Sequence, residues 1–319
     1  MGCSKNLVDS EHILGQLQVK GLVLTHDEDA DAPTVIINTC GFIQDAKQES
    51  IDMILRYARE RQQGNIRELL VFGCLSERYS AELRIEIPEV DAWFGAGEPR
   101  ALFSWLNHSF KKASTARVLA TPSHYAYLKI SEGCNRSCSF CAIPAIRGRH
   151  RSVPIDQLVD EARLLAGRGV RELLLVAQDL SEYGRDLNGK SQLAGLLKAL
   201  LDIESVRWIR LHYAYPLRFP AEVIEMMARE ERICRYLDIP LQHISDHVLK
   251  AMRRGHGEKL TRKLIHQLRQ KVPGIALRTT FLVGFPGETR SDFIKLRKFV
   301  QESRFERMGV FTYSPEEGT

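Results

Sequence analysis

Cys134, Cys138 and Cys141 lie in the string Glu132-Gly133-Cys134-Asn135-Arg136-Ser137-Cys138-Ser139-Phe140-Cys141. Thiolates are the usual ligands of iron–sulfur clusters, and a fully ligated electron-transfer cubane needs four of them. This run supplies three, a spacing that can hold three irons and leave the fourth open to chelate a substrate. The competing reading is a structural zinc site with His150 as the fourth ligand. Structural zinc sites usually pair their ligands on two short hairpins, whereas His150 stands in a basic run, Arg147-Gly148-Arg149-His150-Arg151.

Three more cysteines share a second pattern. The apolar runs at 34–40 and 68–74 end on Cys40 and Cys74, and each is followed by a helix-forming stretch, 44–61 and 76–84. Short apolar runs alternating with helices predict a parallel α/β sheet. Cys3 precedes a helical stretch at 9–19, so it is expected at the carboxyl end of a strand that the chain lacks. Ligands bind along the carboxyl edge of such sheets, and Cys3, Cys40 and Cys74 are expected to converge there, with burial as ordinary core residues the alternative. Cys234 has no such setting and reads as a core residue.

These sites need elements to hold them. Residues 107–124 lose periodicity, and the chain divides into an N-terminal domain at 1–110, a linker at 111–124 and a second domain at 125–319. Strands are expected there at 126–131, 172–177, 208–213, 236–239, 276–283 and 308–312. Helices are expected at 155–166, 192–201, 221–228, 246–252, 259–270 and 291–302. Six β/α units predict a partial (β/α)6 barrel with its site at the carboxyl ends of the strands. Gln178, Asp179, His212, Gln242, His243 and Gly284 fall on that rim as candidate cofactor contacts, with helix capping as the alternative. The loop Gly284-Phe285-Pro286-Gly287-Glu288-Thr289 lacks the Gly-x-x-x-x-Gly-Lys of a phosphate cradle, which excludes nucleotide hydrolysis.

Bulk properties agree with an ordinary globular protein. The 319 residues are 44% hydrophobic and 27% charged, with a net charge of +5 that permits an RNA-rich partner without demanding one. No apolar run is long enough to span a bilayer and no signal peptide opens the chain, so a cytoplasmic location without a membrane partner is expected. Seven cysteines there point to metal or catalysis more than to disulfides.

The Cys-x-x-x-Cys-x-x-Cys run resembles the radical S-adenosylmethionine superfamily. Together with Gly2-Cys3-Ser4-Lys5-Asn6-Leu7-Val8-Asp9-Ser10-Glu11, Asn38-Thr39-Cys40-Gly41-Phe42-Ile43 and Gly73-Cys74-Leu75, it resembles the methylthiotransferases over nearly the whole chain. The resemblance implies an N-terminal three-cysteine domain, a radical S-adenosylmethionine barrel and a small C-terminal TRAM domain. This chain is expected to be a fragment without that last domain and without the first strand.

Ala177-Gln178-Asp179-Leu180, Tyr213-Ala214-Tyr215-Pro216 and Pro240-Leu241-Gln242-His243-Ile244-Ser245 resemble the branch that modifies an aspartate of small-subunit ribosomal protein S-twelve. The branch acting on isopentenyladenosine of tRNA typically has Gly-Gln-Asn and Gln-Ser-Gly at two of these places. The resemblance further implies two [4Fe-4S] clusters. Cys134, Cys138 and Cys141 would hold the cluster that cleaves S-adenosylmethionine to a 5′-deoxyadenosyl radical. Cys3, Cys40 and Cys74 would hold an auxiliary cluster that carries the sulfur. It also implies two S-adenosylmethionine molecules per product, a flavodoxin- or ferredoxin-type electron donor and a monomer. Two alternatives remain at this point, the tRNA enzyme and a zinc-holding RNA-binding scaffold.

Overall fold

The computed structural model describes residues 2–25, 32–111 and 115–319, which fall into two compact units. The first comprises Met1–Ala120 together with Ala145–Gly148, and the second comprises Thr121–Pro144 and Arg149–Thr319.

The first unit is built on a three-stranded parallel sheet in the order β1 (Thr34–Thr39), β2 (Glu68–Gly73), β3 (Ala92–Gly95). Parallel strands covered on both faces read as continuous apolar runs, and β2 shows why. Leu69 and Val71 pack with Ile37, Ile54, Leu75 and Trp93 on one face, while Leu70 and Phe72 pack with Ile13, Leu17, Phe94 and Leu102 on the other. The strand period of two sorts the residues between the faces. The helices Gln44–Gln62 and Cys74–Glu86 cover the first face, and Ser4–Val19 and Pro99–Trp105 the second. The two expected strands are present, but β3 and Pro99–Trp105 were not anticipated, because four and seven residues are too few to carry a readable period.

Part of the expected linker packs into this unit. Buried Glu11 pairs with buried Arg117 and accepts a hydrogen bond from the Ala120 amide at 2.8 Å. A buried carboxylate needs such partners, and that need ties the chain down as far as Ala120. Lys112 and Ser114 lie outside the described residues.

In the second unit β4 (Tyr125–Lys129) is followed by a two-stranded antiparallel ribbon, β5 (Ser131–Glu132) and β6 (Arg151–Ser152). Then come β7 (Glu172–Val176), β8 (Trp208–Leu211), β9 (Ile233–Asp238), β10 (Ala276–Val283) and β11 (Arg307–Thr312). The six strands β4, β7, β8, β9, β10 and β11 form one sheet in sequence order, every pair parallel. This is the partial (β/α)6 barrel that the alternation predicts. β10 falls where expected, whereas β9 begins at Ile233, before the expected 236. Cys234 is therefore half-buried on a strand beside Arg210 rather than in the core. Among the described residues no helix is long and apolar enough to cross a membrane.

One buried group in this unit gives a pH dependence. His256 is 8% exposed, and burial, reinforced by the charges of Arg254 and Arg136, pushes it from its ordinary 6.5 down to about 4. Folded His256 stays neutral where the unfolded side chain takes a proton, so stability is full above pH 6.5 and lost as pH falls toward 4. The whole loss is about 3 kcal/mol. Urea midpoints at neutral pH and near pH 4.5 should show this slope, and His256→Gln should flatten it.

Candidate active site

The three-cysteine loop leaves the barrel at the β5/β6 ribbon, which closes its neck: Ser131 pairs with Ser152 and Glu132 with Arg151. The Val153 amide donates to Ile130 O at 2.9 Å and the His150 amide to Asn135 Oδ1 at 3.1 Å. Farther out, Ser139 donates through its amide to Met252 O and through Oγ to Ala251 O. Phe140, between the second and third cysteines, packs edge-on to Phe285 in an apolar cluster with Val248 and Met252. The loop is thereby pinned at its neck and its tip, and its three half-buried cysteines are held by backbone geometry.

Charge is arranged around these thiols. Burial pushes the Cys134 thiol up and the Cys141 thiol to about 11. Arg254, 6% exposed, donates to Cys138 Sγ at 3.4 Å and to Pro240 O at 2.6 Å, and no carboxylate pairs with it among the described residues. Arg254 and Arg136 lie over the Tyr215 ring, their guanidinium carbons 4.2 and 4.0 Å from its centroid. Cation–π attraction accommodates the two cations on one ring, and Arg136 is further held by Asp179 and Glu182 at 2.9 Å. A buried guanidinium without a counter-ion favours an anion beside it. A cubane on three thiolates is such an anion, so these residues fit the cluster.

They do not fit zinc as well. A structural zinc takes four protein ligands, and the run itself supplies three cysteines. His150 instead meets Ser152 Oγ through Nε2 at 3.1 Å, with Asp186 3.6 Å away. An open cavity of about 450 Å³ adjoins the loop, lined by Cys134, Asn135, Arg136, Pro144, Arg149 and His150. Its volume is within the range of small-molecule sites.

The rim residues divide into two kinds. Asp179 Oδ1 accepts from the Ser181 amide and hydroxyl, capping a short 3₁₀ turn, while its Oδ2 takes Arg136. His243 is fully buried, its Nδ1 accepting from the Ser245 amide and its Nε2 3.4 Å from Glu288. The Gly284 amide donates to Glu288 Oε2 at 2.5 Å and the Phe285 amide at 3.2 Å. Glu288 thus takes the two loop amides that a phosphate would use. These three residues shape the rim. Gln178, in contrast, donates to Glu132 Oε1 at 2.9 Å but leaves its buried Oε1 without a partner among the described residues. Tyr213 and Gln242, just past β8 and β9, both adopt left-handed backbone angles (φ 66° and 69°). Such strain in non-glycine residues collects at ligand sites. The His212 ring is tilted 46° to that of Tyr236, their centroids 5.4 Å apart.

In the first unit Cys3 caps the helix Ser4–Val19, Cys40 follows β1, and Cys74 opens the helix after β2. Their approach depends on two glycines. A Cβ on Gly41 would lie 2.7 Å from Leu75 Cα, and one on Gly73, whose φ is +118°, would lie 2.6 Å from Thr39 O. Burial raises the Cys40 thiol, with Cys3 adding to the rise, and pushes Cys74 to about 11, with Cys40 and Cys3 adding to it. Arg147 donates to Cys74 Sγ at 3.1 Å. Cys40 and Cys74 both feel this buried cation, which again suits an anionic cluster.

Comparison with known proteins decides the chemistry. A model of the radical SAM superfamily matches residues 128–300, and one of an uncharacterized family, UPF0004, matches residues 1–95. The chain is 53% identical over its full length to the ribosomal protein uS12 methylthiotransferase RimO of Bacteroides fragilis, covering 74% of that protein. It belongs to the RimO methylthiotransferase family. The RimO of Flavobacterium johnsoniae is also 53% identical, with the same coverage. As a RimO-family member the chain is a transferase that uses iron–sulfur and S-adenosylmethionine chemistry. The fold is shared with the radical S-adenosylmethionine methyltransferase TsrM of Kitasatospora setae. The TM-score is 0.69 at 15% identity, covering 97% of this chain and 70% of that one.

Sequence reasoning missed Arg136, Tyr215 and Arg254 as parts of this RimO-family site. Arg136 stands inside the cysteine run, and a cation there was the available signal. Arg254 had none, since 116 residues separate it from Cys138.

Proposed function

We propose that this chain adds a methylthio group to the β-carbon of an aspartate of ribosomal protein uS12. The observation that carries the reading is 53% identity along the whole chain to enzymes of that name. The β-hydrogen beside an ionised carboxylate is too weakly acidic for a side-chain base, and bound cluster and S-adenosylmethionine supply the radical chemistry that removes it. Cys134, Cys138 and Cys141 hold the first [4Fe-4S] cluster and Cys3, Cys40 and Cys74 an auxiliary one, with two S-adenosylmethionine molecules used per product.

The protein's own groups bind and orient. Arg254 holds Cys138 and offsets the negative charge gathered on the loop, and Arg136 is kept in place by Asp179 and Glu182. Gln178, through its unpartnered Oε1, accepts from the cofactor, and His212 and Gln242 complete the contacts. Asp179, His243 and Gly284 keep the rim in shape. Residues 1–110 serve as the sulfur-carrying domain and 125–319 as the radical domain. A flavodoxin- or ferredoxin-type protein supplies electrons, and the enzyme works as a cytoplasmic monomer.

The test is anaerobic reconstitution with S-adenosylmethionine and reductant, offering uS12 and tRNA together. Mass spectrometry should find the methylthio group on an aspartate of uS12. A modified nucleoside with unmodified uS12 would transfer the reading to tRNA, and a colourless zinc-loaded protein would replace it with a scaffold.

A further inference from the structure

Arg147 ends the helix Ile143–Arg147, yet it clusters with the first unit and not with the cysteine loop that precedes it. Its side chain is 3% exposed. Nη2 donates to Cys74 Sγ at 3.1 Å and Asn6 Oδ1 at 3.0 Å, and Nη1 to Asp9 Oδ2 at 2.5 Å. The acceptors are themselves fixed. Asn6 Nδ2 donates to Thr39 O at 3.1 Å, and Asn38 Nδ2 donates to Asn6 O at 3.0 Å and Ser10 Oγ at 2.6 Å. A planar fork satisfying sulfur, amide and carboxylate at once is a task for arginine and not lysine.

We propose that Arg147 is a positioning residue for the centre at Cys3, Cys40 and Cys74, setting its reduction potential through the hydrogen bond to Cys74 and through its buried charge. The proposal rests on the reading of those cysteines as the auxiliary cluster site. Net charge and hydrogen bonds to sulfur are what tune such potentials. Three thiolates make the centre negative, an added electron makes it more so, and the guanidinium favours the reduced form. Asp9, paired to the same guanidinium, opposes it.

The experiment uses the full chain carrying Cys134→Ala, Cys138→Ala and Cys141→Ala, so that one cluster remains, with iron counting and a redox titration followed by electron paramagnetic resonance. Arg147→Met should retain iron and shift the one-electron equilibrium at least tenfold toward the oxidised form, a drop of 59 mV. Asp9→Asn should shift it the other way, and Arg147→Lys should fall between Arg147→Met and the parent. If Arg147→Met holds no iron, the opposite shifts of Arg147→Lys and Asp9→Asn carry the test. An iron-loaded Arg147→Met at the parent potential would overturn the inference, as would shifts of one sign in all variants. A parent without any cluster would remove the underlying reading, and the inference with it.

Discussion

Cys138→Ala in the full chain is expected to abolish cleavage of S-adenosylmethionine, with 5′-deoxyadenosine falling to background and iron from about eight to about four per chain, one four-iron cluster. The loop offers three thiols and no spare. Cys134, Cys138 and Cys141 are fixed by the ribbon at the neck and by Ser139 and Phe140 at the tip. The loss should be all or none, because two thiolates leave two irons unligated. Cys134→Ala and Cys141→Ala should behave alike. Removing Cys138 also leaves Arg254 buried without its sulfur partner. That variant should therefore be the least stable of the three, by about 1–3 kcal/mol. Iron counting, product chromatography and urea titration of the same preparations separate the two effects. A Cys138→Ala protein that still forms 5′-deoxyadenosine would disprove the assignment.

Changing Cys3, Cys40 and Cys74 to alanine should divide the reaction differently. Iron should again drop to about four per chain, yet 5′-deoxyadenosine should still form, because the barrel loop is intact. What should vanish is methylthiolated uS12. Cys40 and Cys74 are nearly inaccessible, and losing Cys74 takes a sulfur acceptor from buried Arg147, so a stability cost of about 1–3 kcal/mol should accompany the loss of sulfur transfer. Methylthiolated product from the triple variant would exclude sulfur carriage at this site.

Much of this was local and therefore legible. The cysteine loop is a ten-residue string from Glu132 to Cys141, and β2 announces itself because a strand buried in a parallel sheet must be apolar along its length. Cys40 and Cys74 could be placed at strand ends for the same reason. Where an element was short or its partners distant, the sequence was silent. Ala92–Gly95 is a strand only because β2 lies beside it. Asp179 sits at the end of a strand as expected, but only the folded chain shows its carboxylate already taken by Arg136, 43 residues away. Arg147 looked like one of several cations in a basic run, and packing brought it to Cys74, 73 residues earlier. Periodicity and ligand spacing are written in neighbouring residues, so the sequence by itself determined the sheet class and the two sets of cysteines. Charge partners and close backbone approaches depend on which distant segments meet, and these only the tertiary structure decided.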